Sequence, residues 1–187
     1  IGNSVYVHHF KENTNFYIGD IGGDIDANEI YKNLLDRNIA RAKWMNPNTF
    51  RNLVRNKGEW DLKKNMGTIY GLANSFDKGK DKQTKFLFQE DSYTAPDLGN
   101  FHYGATGRGN VWLPSQTLLL QAGSAQISAG TSMPEWQKYQ TVEHTAGNDH
   151  YYEQIALPPY GDDPVDQDMI KRGFRYYMME HNKEKKN

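Results

Sequence analysis

The chain has 187 residues, a formal net charge of −1 and no cysteine. That length favours one domain with one hydrophobic core, and the missing cysteines exclude disulfides, a thiolate nucleophile and zinc–thiolate clusters. The near-zero net charge counts against a broad basic face for nucleic acid, while a small basic cleft is compatible with it.

The N-terminal segment predicts a small β-hairpin that leads into the first helix. Residues 4–10 and 15–18 mix β-branched and aromatic side chains on either side of a polar turn, a pattern typical of two short paired strands. No apolar run reaches the roughly 18 residues needed to span a bilayer, and no signal peptide is visible. The first residue, Ile1, is not Met, which predicts a fragment or mature product of a larger protein.

Four helices are predicted from apolar residues at helical spacing and from helix start signals: residues 27–45, 47–57, 112–130 and 164–182. Asp26 and Glu29 form a capping-box pattern at the start of the first helix. Asn46 is the predicted cap of the second and Asp163 that of the last, each followed by proline. The third is the most apolar, and we expect it to be the spine of the core.

The remaining long segment, lysine-rich residues 74–92, predicts an exposed loop that ends in a strand. Its lysines either are solvated or contact phosphate. With so little strand, the sequence predicts an α+β, predominantly helical single domain with a small N-terminal β-hairpin. The hairpin and lead-in are expected at residues 1–26, the helical catalytic body at 27–182 and a frayed charged tail at 183–187.

Three polar clusters lie beside predicted helix ends, and in the first of them Glu59 and Asp61 flank Trp60. A carboxylate beside a large apolar ring is poorly hydrated, which raises its pKa and suits a general acid. Lys63 adds a basic side chain two residues beyond. In the alternative interpretation, Trp60 fills the core and the two acids face solvent or cap a neighbouring element.

The second cluster is the glycine-rich segment 99–109, in which four glycines indicate unusual backbone angles or close backbone approach. The glycine spacing matches no nucleotide-phosphate loop. Functional groups in this segment belong to Asn100, His102, Tyr103 and Arg108. His102 either takes part in catalysis or makes a structural hydrogen bond.

The third cluster gathers aspartates around the start of the last helix. Asp163 and Asp166 suit the positive end of the helix dipole, whereas Asp162 has no such local role and is the stronger candidate for chemistry. The aspartates lack EF-hand spacing, and His144 and His150 match no zinc signature. We therefore predict neither a metal nor another cofactor.

Four blocks in one order resemble the bacterial polymorphic toxin type 44 domain: residues 54–63, 99–107, 121–126 with 130–132, and 161–167. The resemblance covers about residues 49–177 and leaves the predicted hairpin outside it. Leu62 stands where an aromatic is expected, and the 74–92 loop looks like an insertion. Neither departure changes the polar residues.

The resemblance implies a toxin at the C-terminus of a large secreted protein, delivered into competing bacteria and neutralised in the producer by a cognate immunity protein. It does not assign the reaction. It carries the following residues over as candidate site residues: Trp60, Asp61, Lys63, Asn100, Tyr103, Asp162, Asp163 and Asp166.

Residue chemistry leaves three activities open. The leading hypothesis is a lysozyme-like hydrolase that cleaves peptidoglycan glycan in the periplasm by paired carboxylates. In it, Glu59 or Asp61 is the acid and Asp162 the base or electrostatic stabiliser. Aromatic residues, 13% of the chain, suit stacking on sugar rings.

The alternative is a metal-independent ribonuclease that acts in the cytoplasm. His102 would be its general base or acid, and Lys63 or Arg108 would stabilise charge on the phosphate. The lysines of residues 78–85 would hold the RNA. The third hypothesis is a non-enzymatic toxin that acts by binding or on a membrane. It ranks last, because no helix is apolar enough to form a pore.

Overall fold

The computed structural model describes residues 7–9, 15–17, 21–147 and 149–184. Within them the helices are α1 (Asn28–Ala42), α2 (Pro47–Val54), α3 (Ile69–Phe76), α4 (Ala95–Gly109), α5 (Ser115–Ser128) and α6 (Pro164–Glu184). The strands are β1 (Val7–His9), β2 (Asn15–Tyr17), β3 (Asp24–Asp26), β4 (Lys85–Phe88), β5 (Asp91–Tyr93), β6 (Lys138–Ala146) and β7 (Asp149–Leu157). The predicted α+β, mostly helical fold is confirmed.

The predicted N-terminal hairpin is present, because β1 pairs antiparallel with β2 and Val7 lies opposite Tyr17. The rest of residues 1–20 and the end of the predicted tail, 185–187, lie outside the described residues. The division into hairpin, body and tail stays a prediction. No helix in the described part of the chain has the length and apolar character needed to cross a membrane.

The centre of the fold is α4, which packs against α1, α3, α5 and α6. The prediction that the helix at 112–130 forms the spine of the core was wrong. In α5 only Leu118, Leu119 and Gly123 are buried, while Leu120 and Ile127 are each 37% exposed. Apolar residues surround α5 on several sides, so a single packing face leaves many of them at the surface.

Helix α4 contains the glycine-rich segment, so the expectation that it lies beside a helix end was wrong, and of its two predicted causes close backbone approach is confirmed. A Cβ atom on Gly104 would lie 2.1 Å from the Ile170 carbonyl oxygen, and one on Gly173 would lie 2.2 Å from that of Phe101. The glycines therefore let the backbones of α4 and α6 pack against each other, at a cost in helix propensity that the close contact offsets.

Two of the three predicted helix starts are confirmed. The Asn46 side chain accepts a hydrogen bond from Asn48 N at 2.9 Å, and Asp163 Oδ1 accepts one from Val165 N at 2.8 Å. The capping box at Asp26 is wrong, because Ala27 precedes α1 and Asp26 instead accepts bonds from the backbone and side chain of Asn28. Asp26 thus forms a local turn outside the helix.

The segment at 74–92 is partly helix and partly sheet. Helix α3 ends inside it, and β4 pairs parallel with β3 and antiparallel with β5, which confirms the predicted strand. Phe86 and Phe88 of β4 are buried, whereas Lys78, Lys80 and Lys82 are exposed. These lysines project from a solvated turn, as the first of the two interpretations expects.

A long hairpin between α5 and α6 was not predicted. Strands β6 and β7 pair over nine residues each, from Lys138 opposite Leu157 to Ala146 opposite Asp149. Most of their side chains are exposed on both faces. The hairpin therefore extends from the body instead of contributing a layer to the core.

Candidate active site

Polar side chains from four parts of the chain meet at the N-terminal end of α6. We call them the Asp162 cluster: Lys63 after α2, Asn100 and Tyr103 of α4, Gln126 of α5, Asp162 and Asp163 before α6, and Asp166 in its first turn. The structure therefore brings together residues from all three sequence clusters.

Close packing fixes the turn that carries Asp162. A Cβ atom on Gly123 of α5 would lie 2.0 Å from the Tyr160 carbonyl oxygen, so only glycine lets the turn approach this helix. Gly161 has φ of +87°, and its amide donates to the Trp136 carbonyl at 2.9 Å. These contacts anchor the base of the β6–β7 hairpin beside the cluster.

Asp162 is the most buried acid of the cluster, with 2% of its surface exposed. Burial raises the pKa of Asp162 to about 7, and the charges of Asp166 and Asp163 add to the rise, while Lys63 opposes it. The Asp162 Oδ2 atom has no hydrogen-bond partner among the described residues. A carboxyl with a pKa near 7 can hold its proton at neutral pH, unlike an exposed aspartate.

Asp166 lies in a more polar environment. Burial raises the pKa of Asp166, and the charges of Asp163 and Asp97 add to the rise, while Lys63 and the Asn100 amide oppose it. Asp166 Oδ2 also accepts a hydrogen bond from Gln126 Nε2 at 3.2 Å. The two carboxyls thus differ in hydration and partners, the arrangement that separates an acid from an ionised carboxylate in glycosidases.

Gln126 is a site residue that the sequence reasoning missed. Its Nε2 donates to Asp166, and its Oε1 accepts from the Asp163 amide at 3.2 Å, so one side chain holds two positions of the α6 start. The available signal was its place in the third block of the family resemblance. No residue pattern within that block distinguishes it from its exposed neighbours.

Asn100 and Tyr103 complete the wall of the cluster on the α4 side. The Tyr103 hydroxyl donates to the Leu118 carbonyl at 3.0 Å, and burial, with the charge of Asp162, raises the pKa of Tyr103 far above its ordinary value. Although Asn100 lies near Asp166, its Nδ2 makes no well-formed hydrogen bond to a described residue. The Asp162 Oδ2 atom and the weakly bonded Asn100 amide are groups that a bound ligand can satisfy.

The acids that flank Trp60 do not form the expected apolar acid site. Trp60 is 4% exposed and packs edge-on against Phe50, which confirms the alternative that it fills the core. Glu59 is exposed and paired with Arg41 at 3.0 Å. Asp61 Oδ2 accepts from the Lys57 amide at 2.8 Å and so fixes the turn after α2.

His102 lies in the interior of the fold. It is fully buried, its Nε2 lies 2.9 Å from Asn38 Nδ2, and its Nδ1 has no hydrogen-bond partner among the described residues. Burial, followed by the charge of Arg37, lowers the pKa of His102 to about 3. A pKa of about 3 makes this imidazole a weak base, and its burial keeps it from contact with solvent, so the geometry does not favour the acid–base role that the ribonuclease hypothesis assigns to it.

Arg108 lies away from the cluster, with its guanidinium 6.0 Å from the ring centre of Tyr177 in the second half of α6. Among the described residues, no set of three or more His, Asp and Glu side chains is arranged to hold a metal ion.

A family model described as bacterial toxin 44 matches residues 49–179, well over half of the chain. The chain belongs to this family of bacterial toxins. The matched range of the toxin domain contains the whole Asp162 cluster, from Lys63 to Asp166. No curated protein and no solved structure matches the toxin domain.

Proposed function

We propose that this toxin domain is a hydrolase that cleaves the glycan strands of peptidoglycan. The observation that carries the proposal is the buried Asp162 carboxyl, whose pKa of about 7 lies near physiological pH, beside the better solvated Asp166. Glycosidases need one carboxyl that is protonated and one that is ionised.

In the proposed mechanism Asp162 donates its proton to the glycosidic oxygen while the bond between that oxygen and the anomeric carbon breaks. The electron pair of this bond stays on the leaving oxygen, and positive charge develops on the sugar beside Asp166. Water then adds to the anomeric carbon and gives its proton to a carboxylate, which completes hydrolysis. Compared with the hypothesis from sequence, the acid is Asp162 instead of Glu59 or Asp61.

Neighbouring side chains support these two states. Burial raises the pKa of Asp166, but Lys63 opposes this rise and so favours the ionised carboxyl, and Gln126 holds the carboxyl by a hydrogen bond. The Asn100 amide, whose contact with Asp166 is not a well-formed hydrogen bond, can donate one to a sugar hydroxyl. Tyr103 is retained in its neutral form and packs beside Asp162.

The ribonuclease alternative is less well supported by this geometry. The acid–base residue it requires, His102, is buried and neutral, and Arg108 lies at the other end of α6. In the described part of the cluster Lys63 is the single cation.

Family membership also supports a setting for this activity. In our proposal the domain is part of a larger secreted protein, reaches the periplasm of a competing bacterium and is neutralised in the producer by a cognate immunity protein. An enzyme that acts on peptidoglycan must reach the periplasmic side of the inner membrane to be toxic.

Expression with and without a periplasmic signal tests the location of the target. We expect lysis only when the domain is exported, and no toxicity for the exported Asp162→Asn variant. Cell lysis by light scattering and total RNA by gel electrophoresis are the measurements. Growth arrest with RNA loss from the unexported domain would favour the ribonuclease instead.

Replacing Lys63 by Met is expected to move the pH–activity profile to higher pH. Lys63 lowers the pKa of both Asp162 and Asp166, so its loss raises both values and shifts both limbs of the profile, by about one pH unit. The measurement is kcat/KM against pH. Lys64→Met, at an exposed neighbouring position, is the matched control and keeps the original profile. An unshifted profile in the Lys63 variant contradicts the assignment.

A further inference from the structure

A second candidate site lies at the far end of α6 from the Asp162 cluster. It is a groove of about 240 Å³ lined by residues 108–114 and by Tyr177. Tyr177 follows Asp166 by eleven residues, which places it roughly 16 Å farther along the helix axis. We call it the Trp112 groove, after its most exposed aromatic residue.

Hydrogen bonds fix the loop that forms one wall of the groove. Asn110 is 2% exposed, and its Nδ2 donates to the carbonyls of Ala42 and Met45, at 2.8 Å each. Its Oδ1 accepts from the Trp112 amide at 2.9 Å, and the Val111 amide donates to the Lys43 carbonyl at 3.1 Å. The backbone that presents Trp112 is therefore held firmly against the end of α1.

Exposed aromatic surface is concentrated around this firmly held loop. Trp112 is 60% exposed, the adjacent Val111 is 48% exposed, and Trp44, beside the Lys43 carbonyl that holds the loop, is 70% exposed. Two exposed indoles lose the stabilisation that burial of their apolar surface would give. Grouped exposed apolar residues mark binding sites more often than scattered ones do.

The groove also contains a cation that is available to a ligand. The Arg108 guanidinium lies over the Tyr177 ring and has no ion-pair partner among the described residues. Nearby, Lys43 Nζ lies 5.8 Å from the Trp44 ring centre. Arginine binds carboxylates with two parallel hydrogen bonds, and stacking on an aromatic face holds its planar group in place.

We propose that the Trp112 groove is an accessory binding site for a saccharide that bears a carboxylate. The indole of Trp112 covers the apolar C–H face of the sugar ring, and Arg108 binds the carboxylate. The inference rests on the proposed cleavage of peptidoglycan, whose strands bear carboxylates on their substituents. Binding at this groove holds the domain on its insoluble substrate while the Asp162 cluster reacts elsewhere on the strand.

Single-stranded nucleic acid is the other ligand that combines rings with negative charge. Proteins that bind it without sequence preference use a track of cations along the backbone together with several stacking residues. The groove contains one arginine, and the chain as a whole has a net charge of −1. These observations favour the saccharide.

The test measures binding to insoluble peptidoglycan by co-sedimentation. All proteins carry Asp162→Asn, so that the substrate stays intact. We expect Trp112→Ala and Arg108→Gln each to weaken binding by about tenfold, and Tyr152→Ala, a change at a 68% exposed aromatic of the hairpin, to leave it unchanged. Circular dichroism verifies that each variant is folded.

Two outcomes overturn the inference. Either the groove variants bind peptidoglycan as tightly as their parent, or single-stranded RNA displaces the domain at lower concentration than soluble peptidoglycan fragments do. Measurements of activity distinguish failure of this inference from failure of the proposed function. With Asp162 restored, the Trp112→Ala variant is expected to cleave short soluble fragments at an unchanged kcat. A domain with Asp162 and Trp112 both intact that binds peptidoglycan through Trp112 but does not cleave it would refute the hydrolase proposal alone.

Discussion

Replacing Asp162 by Asn is expected to lower kcat on peptidoglycan by about 10²- to 10⁴-fold, the range that a general acid contributes. Asparagine has the shape of the protonated carboxyl, but its amide cannot donate a proton to the substrate at neutral pH. The fold tolerates the change because the buried Oδ2 makes no hydrogen bond with a described residue. The measurement is the release of soluble fragments from purified peptidoglycan at pH 7.

The same variant makes a prediction about stability. Because burial raises the pKa of Asp162 from 3.8 to about 7, the folded state holds this proton more tightly than the unfolded state. The wild-type domain therefore loses stability as pH rises from about 4 to 7, and the Asn variant does not lose this contribution. Between pH 5 and pH 8 the variant should gain about 2–3 kcal/mol relative to wild type in urea unfolding.

Asp168→Asn is the matched control for both measurements. Asp168 lies on the same helix, but it is exposed and pairs with Arg172 at 3.1 Å. We expect wild-type kcat and a change in unfolding free energy below about 1 kcal/mol, the usual value of an exposed ion pair. Equal losses of activity in the two variants would show that Asp162 has no special role.

Replacing Gly104 by Ala is expected to destabilise the domain by about 3 kcal/mol or more. A Cβ atom there would lie 2.1 Å from the Ile170 carbonyl oxygen, and backbone of a packed helix cannot move away as a side-chain end can. The two helices would separate at the crossing that positions the Asp162 cluster. Urea unfolding monitored by tryptophan fluorescence measures the change.

The same helix offers a matched control for this substitution. A Cβ atom on Gly99 would meet nothing within 4 Å, so Gly99→Ala should be neutral or stabilise the domain by up to about 1 kcal/mol, because alanine has the higher helix propensity. Gly173→Ala, whose Cβ would lie 2.2 Å from the Phe101 carbonyl oxygen, should behave like Gly104→Ala. Similar unfolding midpoints for the Gly99 and Gly104 variants would contradict the close-packing account.

Local sequence patterns predicted the starts of α2 and α6, because the signals for a helix start lie in neighbouring residues. Asn46 before proline and Asp163 before proline each specify a helix start through a cap that forms within two residues. The glycines of α4 did not predict a helix, because the reason for them is the contact with α6, which lies some seventy residues later in the chain. Such a tertiary contact leaves no signal within the local window.

The β6–β7 hairpin escaped prediction for a different reason. Neither face is covered by the body, so its strands lack the alternation of apolar and polar residues that marks a half-buried strand. Its cross-strand contacts are between polar and aromatic side chains, such as the His144 ring stacked 5.0 Å from Tyr151. Pairing of this kind is not visible before the register is known.

Most residues of the Asp162 cluster were candidates from the sequence, but their arrangement was not predicted. Asp162, Asp166, Lys63, Asn100 and Tyr103 were all candidates, and the structure brings them together. Our proposal of Asp162 as the acid depends on burial. Glu59 has the apolar neighbour in the sequence, yet it lies in solvent, whereas Asp162 is enclosed by helices distant in the chain.

Digestion of purified peptidoglycan by the purified domain tests the central claim most directly. Mass spectrometry of the soluble products identifies the bond that is broken, and the Asp162→Asn variant sets the background. We predict fragments with new sugar ends from the wild-type domain and none from the variant. Intact glycan strands after digestion at high enzyme concentration, together with cleavage of RNA under the same conditions, would contradict the account.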